Sequence, residues 1–135
     1  MTPFVWMFLQ AYQSLREYII SEKSISSLIQ LEYSAFSEAT VPICTFVLYN
    51  NDLDYNGVYL KLSDFKGGMK IQNQKVLESK TNIVNYKYSF LKYNFSKIPG
   101  SPIAYWTNEN LIKAFKDGKE LSSFAEPKVG LQTGD

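Results

Sequence analysis

From Ser24 onward the apolar positions fall in short β-type runs. Ile25 to Leu31 and Ile43 to Tyr49 are rich in the β-branched and aromatic residues that suit a pleated, half-buried surface. They predict two neighbouring central strands joined by a polar loop in which Phe36 is a large apolar residue among small and polar neighbours. A ring placed there is either a lid on the core or a platform for a flat ligand. Ahead of the strands, Phe4, Phe8, Tyr12, Leu15 and Ile19 recur at helical spacing with Gln10, Gln13, Ser14 and Glu17 opposite. With Thr2 as N-cap and Pro3 in the first turn, this predicts one helix over residues 2–22. A helix feeding two central strands ordinarily follows an earlier strand of the same sheet, so the chain reads as cut from a longer polypeptide.

The second half is more broken. Asn50-Asn51-Asp52 and Asn56-Gly57 are turn signals, and Val58 to Leu62 predicts a strand antiparallel to its predecessor because the connection is short. Gly67-Gly68 precedes a helix over residues 69–79, and the aromatic and lysine stretch from Tyr86 to Phe95 reads as a strand. Ile98-Pro99-Gly100-Ser101-Pro102 excludes regular structure. Trp106, Thr107 and Leu111 match a hydrophobic staple around an N-cap, which predicts a helix over 108–117 stopped by Gly118, with a loop-like tail from Leu121 to Asp135.

Composition narrows the chemistry. The chain has 135 residues, 45% hydrophobic and 20% charged, which is one domain's worth of ordinary globular sequence. Cys44 is the single cysteine, so an internal disulfide is excluded, and the absence of histidine removes Ser-His and Cys-His nucleophile systems and the common zinc sites. No apolar run is long enough to span a bilayer and no signal-peptide pattern is present, which predicts a cytoplasmic protein without membrane contact.

The net charge of +1 hides an asymmetry. Residues 1–60 sum to −4, while residues 61–97 carry eight lysines against Asp64 and Glu78, a net of +6. Interleaved with Tyr86, Tyr88, Phe90, Tyr93 and Phe95, that block is either a surface for phosphates and bases or an amphipathic segment with core aromatics and solvated lysines. Tyr105 and Trp106 read as core aromatics, and Cys44 as a buried strand residue with no chemistry.

The stretches TPFVWMFLQAYQSLREYII, VPICTFVLYN, GVYLKLSDFKGG, KYSFLKYNFSKIPGSPIAYW and GLQTGD together resemble the adenine-specific DNA methyltransferases of the BREX phage-defence type, relatives of the large restriction-modification methylases. The resemblance implies an α/β fold, the C-terminal part of a Rossmann-like, S-adenosylmethionine-dependent methyltransferase sheet with antiparallel end strands, followed by an irregular α+β extension. It implies that residues 1–62 end the catalytic domain and that 63–135 lead to the DNA target-recognition region, which Thr133 and Gly134 would open with a Thr-Gly turn. The glycine-containing donor loop and the Asn-Pro-Pro-Tyr motif of that family are not in this sequence. This chain is accordingly expected to bind no S-adenosylmethionine and to transfer no methyl group alone.

The same resemblance implies DNA and the remainder of the methyltransferase as partners. Adenine must leave the duplex to be methylated. Phe36 matches by its place the family's aromatic that stacks on the flipped base, with Tyr33 as substitute; the alternative is that Phe36 folds back onto the first helix. Lys87, Lys92 and Lys97 are the candidates for DNA phosphates. A half-sheet also exposes an edge through which copies could self-associate. The other class of function is a non-catalytic DNA-binding or protein-interaction module that docks on a partner methylase.

Overall fold

A computed structural model describes residues 1–36 and 41–126. Five strands form one mixed sheet: β1 (Thr2–Pro3), β2 (Ser24–Gln30), β3 (Ile43–Tyr49), β4 (Asn56–Lys61) and β5 (Lys87–Leu91), in the spatial order β1-β3-β2-β4-β5. Three α-helices accompany them among the described residues: α1 (Gln13–Glu22), α2 (Gly68–Thr81) and α3 (Glu109–Asp117). The α/β class and the two strands around the 31–42 loop are as expected, but only β2 is central. β3 has just the two residues of β1 on its outer side.

The expected single helix over 2–22 is replaced by three pieces. Thr2 and Pro3 pair with Cys44 and Ile43, two 3-10 turns follow at Phe4–Met7 and Gln10–Tyr12, and α1 starts only at Gln13. A continuous helix would direct the carbonyls of Trp6, Met7 and Leu9 to amides four residues on. Here Arg16 takes the Trp6 carbonyl from Nη1 at 2.8 Å and the Leu9 carbonyl at 2.6 Å, while Ile103 N–H takes that of Met7 at 2.9 Å. The buried face moves with the break. Trp6, Met7, Ile19 and Ile20 enter the core, whereas Tyr12 and Leu15 stay substantially exposed.

Arg16 is the hub of this corner. Its side chain is 1% exposed, and it also reaches the carbonyls of Gly100 (2.7 Å from Nη2) and Ser101 (3.1 Å from Nε). Ile98 to Ser101 form a turn closed by Ser101 N–H on the Ile98 carbonyl, with Pro99 and then Gly100 at φ +78° in the central positions that suit a type II turn. Ser101 itself sits at φ +49°, a conformation rare outside glycine, and the two left-handed residues turn both carbonyls onto the guanidinium.

β4 corrects a second expectation. It does not pair with β3 but lies parallel to β2 on its other side, with Ser27 opposite Val58 and Gln30 opposite Lys61. The connection from Tyr49 to Asn56 therefore passes across the amino end of β2. Buried Ser24 holds it there, its hydroxyl donating to the Asn51 carbonyl at 3.0 Å and accepting from Leu53 N–H at 2.7 Å.

The sheet buries both faces. On one side Leu28, Cys44, Tyr59, Phe90, Phe95, Ile103 and Tyr105 pack beneath α1. Tyr59 stacks on Tyr105 with centroids 4.9 Å apart, and the Tyr105 hydroxyl donates to Gln30 Oε1 at 2.9 Å. Burial pushes both phenols well above the ordinary tyrosine range, so they stay neutral. On the other side Leu60, Leu62 and Tyr86 pack against Ile29, Phe65, Val76 and Val84. Residues from both sides of position 62 contribute to the sheet and to each of the two clusters.

The helix over 69–79 forms as α2, three residues longer in total. The strand expected over 86–95 ends at Leu91 and continues as a 3-10 segment, Lys92–Lys97. α3 is capped by Asn108, whose Oδ1 accepts from Leu111 N–H at 2.9 Å. Thr107, the residue expected to cap it, instead donates its hydroxyl to the Ala104 carbonyl. Tyr105 is core as expected, whereas Trp106 packs on Phe8 and Tyr105 yet remains 37% exposed. Cys44 is buried and free. No helix among the described residues is long and apolar enough to cross a membrane.

Candidate nucleic-acid-facing cleft

In open α/β sheets, ligands collect in the crevice outside the carboxyl ends of parallel strands, because the loops there diverge and leave backbone groups free. β2 and β4 are the parallel pair of this sheet, and their carboxyl ends release the loops starting at Leu31 and Leu62. Between those loops lies a cleft of 450 Å³ whose walls include Tyr33, Ser34, Ser63, Lys66 and the Gly67-Gly68 pair.

The floor is set by Glu32. Its side chain is buried, and Oε1 accepts from Gly67 N–H at 3.0 Å and from Gly68 N–H, so a carboxylate caps the first turn of α2 where the helix dipole is positive. Both glycines have positive φ (+128° and +69°), which turns two successive amides toward one oxygen. Gln72 completes the joint. Its Oε1 accepts from Glu32 N–H at 3.3 Å while Nε2 donates to the Phe65 carbonyl at 2.6 Å, fixing the 62–67 loop to α2.

Above this rigid floor Tyr33 is 58% exposed, a large flat side chain left on the surface at a cleft mouth. Phe36 is half-buried at the end of the described part of the same loop. The cleft can offer a ring face, two serine hydroxyls and the Lys66 ammonium. It has no histidine, and the Glu32 carboxylate is already engaged, so the arrangement suits binding better than proton transfer.

The three candidate lysines are not one patch. Lys87 stands opposite Leu60, near the carboxyl end of β4, and Nζ donates to the Ser79 carbonyl at 2.9 Å. Lys92 and Lys97 follow the other end of β5, where Leu91 stands opposite Asn56. Four residues of strand place the two groups about 13 Å apart along the sheet. Lys97 is exposed and donates to Asn94 Oδ1 at 2.6 Å. Lys92 is 3% exposed, forms an ion pair with Asp52 and donates to the Lys23 carbonyl. Its charge is used inside the protein to tie α1, the 50–55 crossing and the 3-10 segment together.

Asp52 is held below the usual aspartate range by its bonds to Lys92 and then to the Tyr93 hydroxyl at 2.8 Å. A depressed carboxylate contributes stability that is complete above the ordinary aspartate pKa of about 3.9 and is lost as pH falls through the folded-state value. The tie is therefore expected to weaken only in acid, below about pH 4, and Asp52→Asn should flatten the acid limb of a stability-versus-pH curve by lowering its neutral-pH plateau toward the acid value, since the contribution removed is the one present at neutral pH. An unchanged acid limb would show that this carboxylate does not govern it.

Reading by sequence missed Glu32, Ser63, Lys66 and the glycine pair as parts of one site. No local signal marks them, because it is the parallel pairing of β2 with β4 that brings the two loops together. Thr133 and Gly134 lie outside the described residues.

The chain is similar to two adenine-specific methyltransferases. It is 32% identical over 139 aligned residues to the adenine-specific methyltransferase PglX of Lacticaseibacillus casei (strain Zhang), covering 99% of this chain and 12% of that relative. It is 32% identical over 117 residues to the adenine-specific methyltransferase BrxX of Escherichia coli O9:H4 (strain HS), covering 82% of this chain and 9% of the relative. The chain thus spans about a tenth of the length of these relatives. No protein-family model matches it.

Proposed function

Starting from this chain's kinship with the adenine-specific methyltransferases, we propose that it is one part of a DNA adenine methyltransferase, a modification enzyme of a phage-defence or restriction-modification system. It supplies the end of a Rossmann-like catalytic sheet and one wall of the DNA cleft, with residues 63–135 leading toward target recognition. The observation that carries this reading is Tyr33, exposed beside the cleft at the carboxyl ends of the parallel strands.

The intact enzyme takes its methyl group from S-adenosylmethionine, but the residues of this cleft do not fit that donor. The buried Glu32 carboxylate, the group a ribose would need, is engaged by the Gly67 and Gly68 amides, and those amides are thereby filled. No donor-binding role is assigned to this chain. Its contribution is to the other substrate: Tyr33 or Phe36 stacks on the extruded adenine, a role that needs a π face and no proton transfer. Lys66, Lys87 and Lys97, all exposed, are the proposed phosphate partners, and Lys92 enters only by giving up Asp52.

In the intact enzyme, Tyr33→Ala should weaken binding to DNA with a mismatched target adenine about 5- to 150-fold, the equivalent of about 1–3 kcal/mol of stacking per base, and leave binding to abasic DNA unchanged. Phe36→Ala measured alongside shows which ring makes the contact. Affinity and methylation rate unchanged in both variants would remove the stacking role.

A further inference from the structure

The flank of the sheet beyond β1 has the features of an unfinished pairing edge. Leu31 N–H donates to the Ile43 carbonyl, so the odd-numbered residues of β3 turn their backbone groups toward β2. Phe4 N–H donates to the Pro42 carbonyl and Thr2 stands opposite Cys44, so the even-numbered residues turn theirs the other way. β1 covers only Ile43 and Cys44. The backbone groups of Phe46 and Leu48 therefore face outward with no strand beside them among the described residues.

Beside this edge runs a groove of 530 Å³ lined chiefly by apolar side chains, Val5, Trp6, Leu15, Tyr18, Phe46 and Leu48 among them. Leu15 and Tyr18, on α1, are 44% and 51% exposed. Solvent-facing edges are usually blunted by charge, proline or a bulge. The segment ICTFVLY has no charged residue and no proline, whereas β5 on the opposite edge begins at the exposed Lys87.

We propose that this flank docks an extended, alternately apolar strand from the remainder of the methyltransferase, laid antiparallel to β3 in the register that β1 already sets. This rests on the methyltransferase reading. The incoming strand takes the N–H and C=O groups of Phe46 and Leu48, and alternate side chains fill the groove against Leu15 and Tyr18, the mode of recognition in which backbone bonds give affinity and side-chain pockets give selectivity. Two observations favour that occupant. β1 is a two-residue stub of the required pairing, in line with the open positions. About nine-tenths of each relative lies outside the stretch shared with this chain, which supplies the polypeptide.

The test uses the whole chain, isotope-labelled, titrated with overlapping synthetic peptides that scan the Lacticaseibacillus casei relative outside the shared stretch. Peptides from one contiguous segment should bind and slow amide exchange of Phe46 and Leu48 at least 10-fold. Leu15→Glu should weaken that binding at least 10-fold while leaving the melting of the free chain in place. A concentration-dependent dimer that protects the same two amides without peptide would overturn the proposal in favour of a second copy. Methyltransferase peptides that bind while Phe46 and Leu48 exchange as before would overturn the docking surface and leave the methyltransferase reading standing. Protection by a designed alternating apolar peptide, but by none from the relative, would overturn the occupant and count against that reading too.

Discussion

Replacing Arg16 by leucine is expected to lower the unfolding free energy by about 3–5 kcal/mol, a large share of the stability of a domain this size. The guanidinium is buried and serves four carbonyls, those of Trp6, Leu9, Gly100 and Ser101, with no carboxylate bonded to it. Leucine matches the aliphatic stem but leaves those acceptors without a donor. An unsatisfied buried group costs about 1–3 kcal/mol, and the Trp6 and Ser101 residues are buried, while that of Leu9 can recover water. Arg16→Lys should recover less than half of the loss, because one ammonium cannot span carbonyls that approach a planar fork from two sides. Urea denaturation of the two variants checks both points. A loss under about 1 kcal/mol for the leucine variant would show that the 3-10 turns and the 98–101 turn hold their shape without the guanidinium.

Gly57→Ala should cost about 2–3 kcal/mol, through crowding and not through backbone strain. At Gly57 the start of β4 runs beside the Ile25 backbone, and a Cβ there would lie 2.4 Å from the Ile25 carbonyl oxygen and 2.8 Å from the Tyr59 hydroxyl. Ile25 lies next to the irregularity in the pairing of β2 with β3, between Ile25 and Ser27, so its carbonyl is already displaced from regular ladder geometry. A side-chain hydroxyl can move aside, but a strand carbonyl moves only with its strand. The double variant Gly57→Ala with Tyr59→Phe separates the two, since the second change removes the hydroxyl and leaves the carbonyl. If it restores stability fully, the clash is with the phenol; the expected result is that it restores little.

Both effects lie at places where no local pattern announces them. The apolar runs at 25–31 and 43–49 were legible as strands because β-branched and aromatic residues have the same preference wherever a pleated surface is half-buried. The same holds for α2 after Gly67-Gly68, for α3 before Gly118, and for the irregular Ile98–Pro102 segment, where glycine and proline act on the backbone directly. The helix expected over 2–22 failed for the opposite reason. Its apolar spacing was real, but the carbonyls of Trp6, Met7 and Leu9 are claimed by Arg16 and Ile103, partners that local spacing does not point to.

For the cleft, Tyr33 and Phe36 could be singled out as aromatics in a polar loop, since an aromatic there stands out against its neighbours. Their setting could not, because it depends on β4 crossing to the far side of β2. A short β3-to-β4 connection looks like a hairpin until Ser24 and the Lys92–Asp52 pair are seen holding it across the end of another strand. Charge shows the same limit. The lysine-rich character of 61–97 is a property of composition, but whether a lysine faces solvent is a property of packing, and Lys92 is buried while Lys97 is not.

By itself, the sequence determined the α/β class, the existence of most elements, the kinship with adenine-specific methyltransferases and the lack of histidine chemistry. The class, the elements and the lack of histidine follow from residue type and short-range spacing, and the kinship from the resemblance of whole stretches of sequence. The tertiary structure alone decided which strands are neighbours, that Glu32 and the glycine pair close the floor of a cleft under Tyr33, and that Phe46 and Leu48 have no strand beside them among the described residues. Those outcomes rest on hydrogen bonds and contacts between residues far apart in the chain, such as the 84-residue separation between Arg16 and Gly100, and no local pattern encodes them.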